Sequence, residues 1–141
     1  MQVENILQSK GRAVTTVSPR TSIAEAVGLL NTHRIGAVVV LDGKRVVGIL
    51  SERDVVRHLG TDWAALSSRS VSDVMTKDVV TAGRYATVAE IMERMTERRI
   101  RHLPIVEGGE LVGIVSIGDV VKRKIEETEQ EAEALKEYIA S

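Results

Sequence analysis

The chain repeats itself. Slid by 65 positions, the segment Gly43-Lys44-Arg45-Val46-Val47-Gly48-Ile49-Leu50-Ser51-Glu52-Arg53-Asp54-Val55-Val56 falls on Gly108 to Val121. Gly43, Val47, Gly48, Ile49, Ser51, Asp54, Val55 and Val56 recur unchanged. Without a gap, Ala24-Glu25 falls on Ala89-Glu90 and Arg34-Ile35 on Arg99-Ile100. Further upstream, Val3-Glu4-Asn5-Ile6-Leu7 resembles Val71-Ser72-Asp73-Val74-Met75 at an offset of 68, so the first copy carries three extra residues, placed in the loop Gln8–Val14. A unit of about 60 residues is too long for a solenoid repeat and marginal as a free-standing domain. Two copies packed as one pseudo-two-fold body is the economical expectation.

Both copies predict the same α/β layout. Ile23, Ala26, Val27 and Leu30 share one helix face over Ser22–His33, with Thr21 or Ser22 as N-cap. Val88, Ile91, Met92 and Met95 do the same over Thr87–Arg98. The apolar β-branched runs Ala37–Leu41 and Val46–Leu50 flank Asp42-Gly43-Lys44, a hairpin signal. Their counterparts are Leu103–Val106 and Leu111–Val115, joined by Glu107-Gly108-Gly109-Glu110. A further helix starts at Ser51 and at Ser116. The expected boundaries are repeat 1 over 3–60, a linker over 61–70, repeat 2 over 71–125 and an amphipathic acidic helix over 126–141. In that tail Ile125, Thr128, Ala132, Leu135 and Ile139 form a stripe among six glutamates. The stripe predicts packing on the body or on a dimer partner, with an acidic recognition surface as the alternative. Trp63 is expected to be a packing anchor.

Composition narrows the chemistry. With 19 Lys+Arg against 20 Asp+Glu there is no global basic field for nucleic acid. Trp63, Tyr85 and Tyr138 are the only aromatics, too few for base-stacking platforms. Absence of cysteine removes disulfides, thiol nucleophiles and Cys-ligated zinc. His33, His58 and His102 show no metal-ligand spacing, and neither a P-loop nor a Gly-x-Gly-x-x-Gly fingerprint is present. No nucleophile has an evident base, so no catalytic residue and no metal site is expected. Met1-Gln2-Val3-Glu4-Asn5 lacks the features of a secretory leader, and no aliphatic run approaches the ~20 residues of a membrane span. The expected location is cytoplasmic, with no membrane partner.

The repeated Ser-x-x-Asp, Ser51 to Asp54 and Ser116 to Asp119, stands at a strand end and a helix start. It reads in two ways. As a capping-box variant it stabilises each helix by about 1 kcal/mol and does nothing else. As a site, a helix N-terminus offers free N–H groups and positive potential to phosphate. The carboxylate three residues on accepts hydrogen bonds from a ribose diol. Arg20, Arg34, Arg57, Arg98, Arg99, Arg101 and Lys122 are candidate phosphate cations, each with a solvated surface charge as its plain alternative.

At this point the chain resembles a cystathionine β-synthase (CBS) domain pair, or Bateman module. The resemblance rests on Val71-Ser72-Asp73-Val74-Met75-Thr76 with Thr81, on Arg34-Ile35-Gly36-Ala37-Val38-Val39-Val40, on Arg99-Ile100-Arg101-His102-Leu103-Pro104-Ile105-Val106, and on both Gly-Ile-(Leu/Val)-Ser-x-x-Asp-Val segments. It covers residues 3–125 and implies a tandem β-α-β-β-α repeat that binds an adenosyl ligand. AMP stands first, with ADP, ATP, NAD(H) and S-adenosylmethionine as alternatives. The resemblance implies that Asp54 and Asp119 hold ribose and that Ser51 and Ser116 lie near phosphate. One site would join Ser116 and Asp119 to Thr15, Thr16, Ile35, Gly36 and Ala37. The other would join Ser51, Arg53 and Asp54 to Val80, Thr81, Ile100, Arg101, His102 and Pro104; with Arg101 and His102 where the first has Gly36 and Ala37, it is expected to favour a more highly charged ligand or to stay empty. It further implies a homodimer formed through the helices after Ser-x-x-Asp, and an unidentified protein partner that reads the bound state. The alternative is a ligand-free dimeric scaffold with degenerate pockets.

Overall fold

Hydrophobic periodicity and capping set the elements. The computed structural model describes residues 1–140; Ser141, the end of the expected tail, lies outside them. The first copy contains α1 (Val3–Lys10), β1 (Thr16–Val17), α2 (Ile23–His33), β2 (Ala37–Asp42), β3 (Arg45–Ser51) and α3 (Glu52–Leu59). The second contains α5 (Val71–Val74), α6 (Val88–Arg98), β4 (His102–Glu107), β5 (Glu110–Ser116) and α7 (Ile117–Ala140). Ser22 and Thr87 cap α2 and α6 by accepting from the N–H of Glu25 and Glu90 at 3.1 Å. Both helices end on an arginine in the left-handed region, Arg34 (φ 53°) and Arg99 (φ 52°), a conformation uncommon outside glycine and asparagine.

The hairpins close on two-residue turns. Gly43 (φ 63°) serves one, Gly108 (φ 58°) and Gly109 (φ 80°) the other, as a turn matched to strand twist requires. The antiparallel pairs run Ala37↔Ser51 to Asp42↔Arg45 and His102↔Ser116 to Glu107↔Glu110, each with a bulge at the same repeat position. Three-stranded sheets are expected in both copies, and only the first has one, through parallel pairing of β1 with β2. In the second copy the third strand shrinks to one parallel bridge, Ala82 to Ile105.

The two cores do not follow the two sequence copies. Val3, Ile6 and Leu7 of α1 are buried with Val88, Ile91, Met95, Leu103, Ile105 and Val115 of the second copy. Val71 and Val74 of α5 are buried with Ile23, Ala26, Val38, Val40 and Leu50 of the first. Each copy thus lends its leading helix to the other. Gly48 and Gly113 leave the space: a methyl group on Gly113 would lie 2.6 Å from Leu7 Cδ2, and one on Gly48 would meet Met75.

The region 61–70 holds a short helix, α4 (Trp63–Ser67), rather than bare linker. Its anchor is Leu66, which is 3% exposed, while Trp63 is 43% exposed. Helix α7 runs without a break from the second Ser-x-x-Asp through the tail. From Thr128 to Ala140 it is exposed, so the tail does not fold onto the body. No helix among the described residues is long and apolar enough to cross a membrane.

Candidate functional site

The first Ser-x-x-Asp sits where β3 becomes α3. Asp54 Oδ2 accepts from the Ser51 N–H (2.9 Å) and hydroxyl (3.1 Å), while the Ser51 hydroxyl lies 3.2 Å from the Asp54 N–H as the N-terminal cap. Asp54 Oδ1 accepts from the Thr76 hydroxyl at 3.2 Å. The aspartate is only 7% exposed, the one buried charged side chain among the described residues. Its burial is tolerable because both oxygens are hydrogen-bonded. Behind it, His58 Nδ1 lies 2.8 Å from the Asp54 carbonyl.

A cleft of about 380 Å³ opens over this aspartate. Ser51, Glu52, Arg53 and Asp54 come from the first copy, Ile100, Arg101 and His102 from the second, and Arg57, Arg99 and Thr76 complete its polar lining. A neighbouring hollow of about 300 Å³ shares Arg53, Arg99, Ile100 and Arg101. None of Arg53, Arg57, Arg99 and Arg101 is paired with a carboxylate among the described residues. The four unpaired guanidiniums outnumber the two carboxylates of the lining, Glu52 and Asp54, which favours an anion, and guanidinium geometry suits phosphate oxygens. Arg98, by contrast, is held by Asp78 at 3.0 Å.

The other expected residues are distributed differently from the two proposed groupings. Gly36 lines the Asp54 cleft, not a separate one with Asp119: a methyl on it would lie 2.9 Å from His102 Nε2 and 3.0 Å from Glu52 Oε1. The two strand starts face each other across the pseudo-two-fold, so one cleft uses both. Val80 and Thr81 are not among the lining residues; Val80 packs on the second core and the Thr81 carbonyl accepts from Arg94 at 3.0 Å. Thr76 stands nearer the carboxylate than either. Thr16 lines a hollow elsewhere, with Arg12, Val14 and Lys44. Thr15 contributes its carbonyl to Val39 at 3.2 Å, and Pro104 its carbonyl to Ala82 at 3.2 Å. Ile35 packs on the first core and Ala37 pairs with Ser51 in the hairpin.

The second Ser-x-x-Asp repeats the cap. Asp119 Oδ2 accepts from the Ser116 N–H at 2.9 Å, and the Asp119 N–H donates to the Ser116 hydroxyl at 3.2 Å. Here a lysine missed by sequence reading intervenes: Lys10 Nζ lies 2.7 Å from Asp119 Oδ2. Burial alone would raise the Asp119 carboxyl, but the Lys10 and Ser116 donors together hold it below its ordinary value. Lys10 falls in the stretch expected to be loop; α1 runs on through it and stops at Gly11 (φ 101°), the signal that marks the helix end.

His102 is pushed below its ordinary value of 6.5, first by burial and also by Lys10 and Arg101, against the opposing pull of Glu52. The unfolded chain therefore binds more protons than the folded one as pH falls through 6.5. Stability is expected to decrease as pH is lowered through that value toward the folded pKa, and to level off below it. Urea denaturation at pH 7.5, 6.5 and 5.5 checks this. His102→Gln should flatten the His102 component of the slope, and an unchanged slope would assign it to other groups.

A duplicated α/β unit with a cation-rich cleft lined by both copies defines a paired-repeat module. The chain belongs to the CBS domain family, whose pattern matches residues 6–61 and 71–126. It is 30% identical over 146 residues to the mitochondrial CBS domain-containing protein CBSX3 of Arabidopsis thaliana, covering 97% of this chain and 71% of that protein. The solved CBS-domain containing protein ATU1752 from Agrobacterium tumefaciens superimposes with a TM-score of 0.84 at 49% identity, over 88% of this chain and 99% of that one. The CBS domain pair of protein MJ0100, solved in complex with 5′-methylthioadenosine and S-adenosyl-L-methionine, superimposes with a TM-score of 0.78 at 26% identity, over 90% and 98%.

Proposed function

We propose that this CBS pair is a sensor of adenine nucleotides, non-catalytic and without need of a metal. The ligand lies in the Asp54 cleft with its ribose diol on Asp54 and its phosphates among Arg53, Arg57, Arg99 and Arg101. The observation that carries this reading is the meeting of a buried, hydrogen-bonded aspartate with four unpaired arginines drawn from both copies. A cap alone needs no arginine. The adenosyl ligands of the MJ0100 domain pair support the ligand class. The arginines favour a phosphorylated member, with AMP as the minimal one and ADP, ATP or NAD(H) able to extend toward the adjoining hollow.

The site spans the two copies, so a ligand that prefers one relative packing shifts the module toward it. Val56 on α3 (69% exposed) and Val121 on α7 (38% exposed) offer apolar surface at equivalent positions for a second copy. A dimer formed there would pass the change to a protein partner.

The test is a thermal-shift panel on protein refolded from denaturant, with AMP, ADP, ATP, NAD+, NADH, S-adenosylmethionine and adenosine. A rise of several degrees with phosphorylated compounds, greater than that with adenosine, is expected. No rise with any compound would reject the sensor and favour the ligand-free scaffold.

A further inference from the structure

The two aspartates differ in what the opposite copy lays upon them. At Asp54 the donor is neutral: the Thr76 hydroxyl reaches Oδ1 at 3.2 Å, while the Thr76 backbone pairs with Ile49 in both directions at 3.0 and 2.9 Å. At Asp119 the donor is a cation. Lys10 Nζ donates to Asp119 Oδ2 at 2.7 Å and to the carbonyl of Ile114, the repeat counterpart of Ile49, at 3.1 Å. One ammonium thus spans the positions that Thr76 serves with hydroxyl and backbone together. The difference follows from helix length: α5 ends at Val74, whereas α1 continues past the matching Ile6 to Lys10. The surrounding cations differ too, because Gly118 stands where the first site has Arg53.

We propose that Lys10 is a tethered occupant of the Asp119 site, which makes that site conditional: a nucleotide takes Asp119 only by displacing the ammonium. This rests on the adenosyl-ligand reading above. A ribose diol donates hydrogen bonds and is drawn to a carboxylate whose charge is not neutralised; the donors on Asp54 are all neutral, whereas one on Asp119 is a cation. Oδ2 of Asp119 already accepts from Ser116 and Lys10, and the ammonium neutralises the charge that would draw a hydroxyl. Being attached to the chain, Lys10 competes at a high effective concentration. A ligand with a phosphate gives the displaced ammonium a new anionic partner, and adenosine gives it none. Lys10 therefore selects phosphorylated ligands at Asp119 by resisting the uncharged one.

The pair is partly open to solvent, with side chains 34% and 26% exposed. An ion pair of that kind is worth at most about 1 kcal/mol, or about fivefold in affinity. The experiment is calorimetric titration of adenosine and of AMP into Asp54→Asn protein, where the first site is weakened, with Lys10 intact or replaced. In Lys10→Met, adenosine should bind about fivefold tighter, AMP should gain less, and Lys10→Gln should fall between. Adding Asp119→Ala should remove the gain. Unchanged or weaker adenosine binding in Lys10→Met overturns the proposal, the second by making Lys10 a ligand contact. Binding by wild type but by none of the Asp54→Asn proteins also overturns it. If wild type itself binds neither compound, the underlying sensor reading has failed and this proposal falls with it.

Discussion

Asp54→Asn is expected to abolish about half or more of the thermal stabilisation that a bound nucleotide confers. At about 100 times Kd a ligand adds about 2.7 kcal/mol, a rise on the order of 10 °C for a chain of this length. Asparagine matches aspartate in shape, and its side-chain oxygen still accepts from the Ser51 N–H, so the cap on α3 survives. What it lacks is the charge that strengthens hydrogen bonds from two ribose hydroxyls. Hydrogen bonds to charged groups contribute about 1.5–3 kcal/mol, so affinity should fall about 10- to 100-fold. The ligand-free variant should melt within a few degrees of wild type, which separates a lost ligand contact from a lost cap. An Asp54→Asn protein that still rises by the full amount would show that the ribose is held elsewhere. Arg101→Ala is the complementary change: it should weaken AMP and leave adenosine nearly unaffected, because a guanidinium contacts phosphate and not the diol.

Much of this architecture is legible in the sequence because short-range rules decide it. The two hairpin turns and the caps at Ser51 and Ser116 each act within a few residues, and the 65-residue offset carries the same local signals into both copies. What sequence reading misses is decided at long range. The repeat shows that Leu7 corresponds to Met75, but not which core either enters, since both cores are aliphatic and would accept both. Gly36, expected beside Asp119, lines the Asp54 cleft, because the start of its strand lies against His102 of the other copy. Thr76, and not Val80 or Thr81, lines that cleft, because its backbone pairs with Ile49, beside the carboxylate. Lys10 is hidden among Gln8–Val14, where three extra residues read as loop; they are in part another helical turn that carries a cation onto Asp119.

Leu7→Ala is expected to destabilise the whole chain by about 2–5 kcal/mol, lowering Tm on the order of 10 °C. Leu7 is 1% exposed, in the core of the second copy, and its methyl groups fill the space left by Gly113. Truncation removes those contacts and leaves a cavity that rigid neighbouring strands close poorly. The informative readout lies in the other copy. Trp63 is the only tryptophan and belongs to α4, whose Leu66 packs in the first core. If the copies folded independently, Leu7→Ala would shift the circular-dichroism transition and leave Trp63 fluorescence unmoved. Because α1 belongs to one core and α5 to the other, neither core is complete without both chain segments, and the two signals should shift together. The same exchange bears on sensing. On the proposed function, a nucleotide bridging Asp54 and Arg101 would join two halves that already share helices, so separation of the halves is not expected as its signal. Such a ligand would act by biasing one packing over another, and the size of its signal would be limited by its difference in affinity for the two.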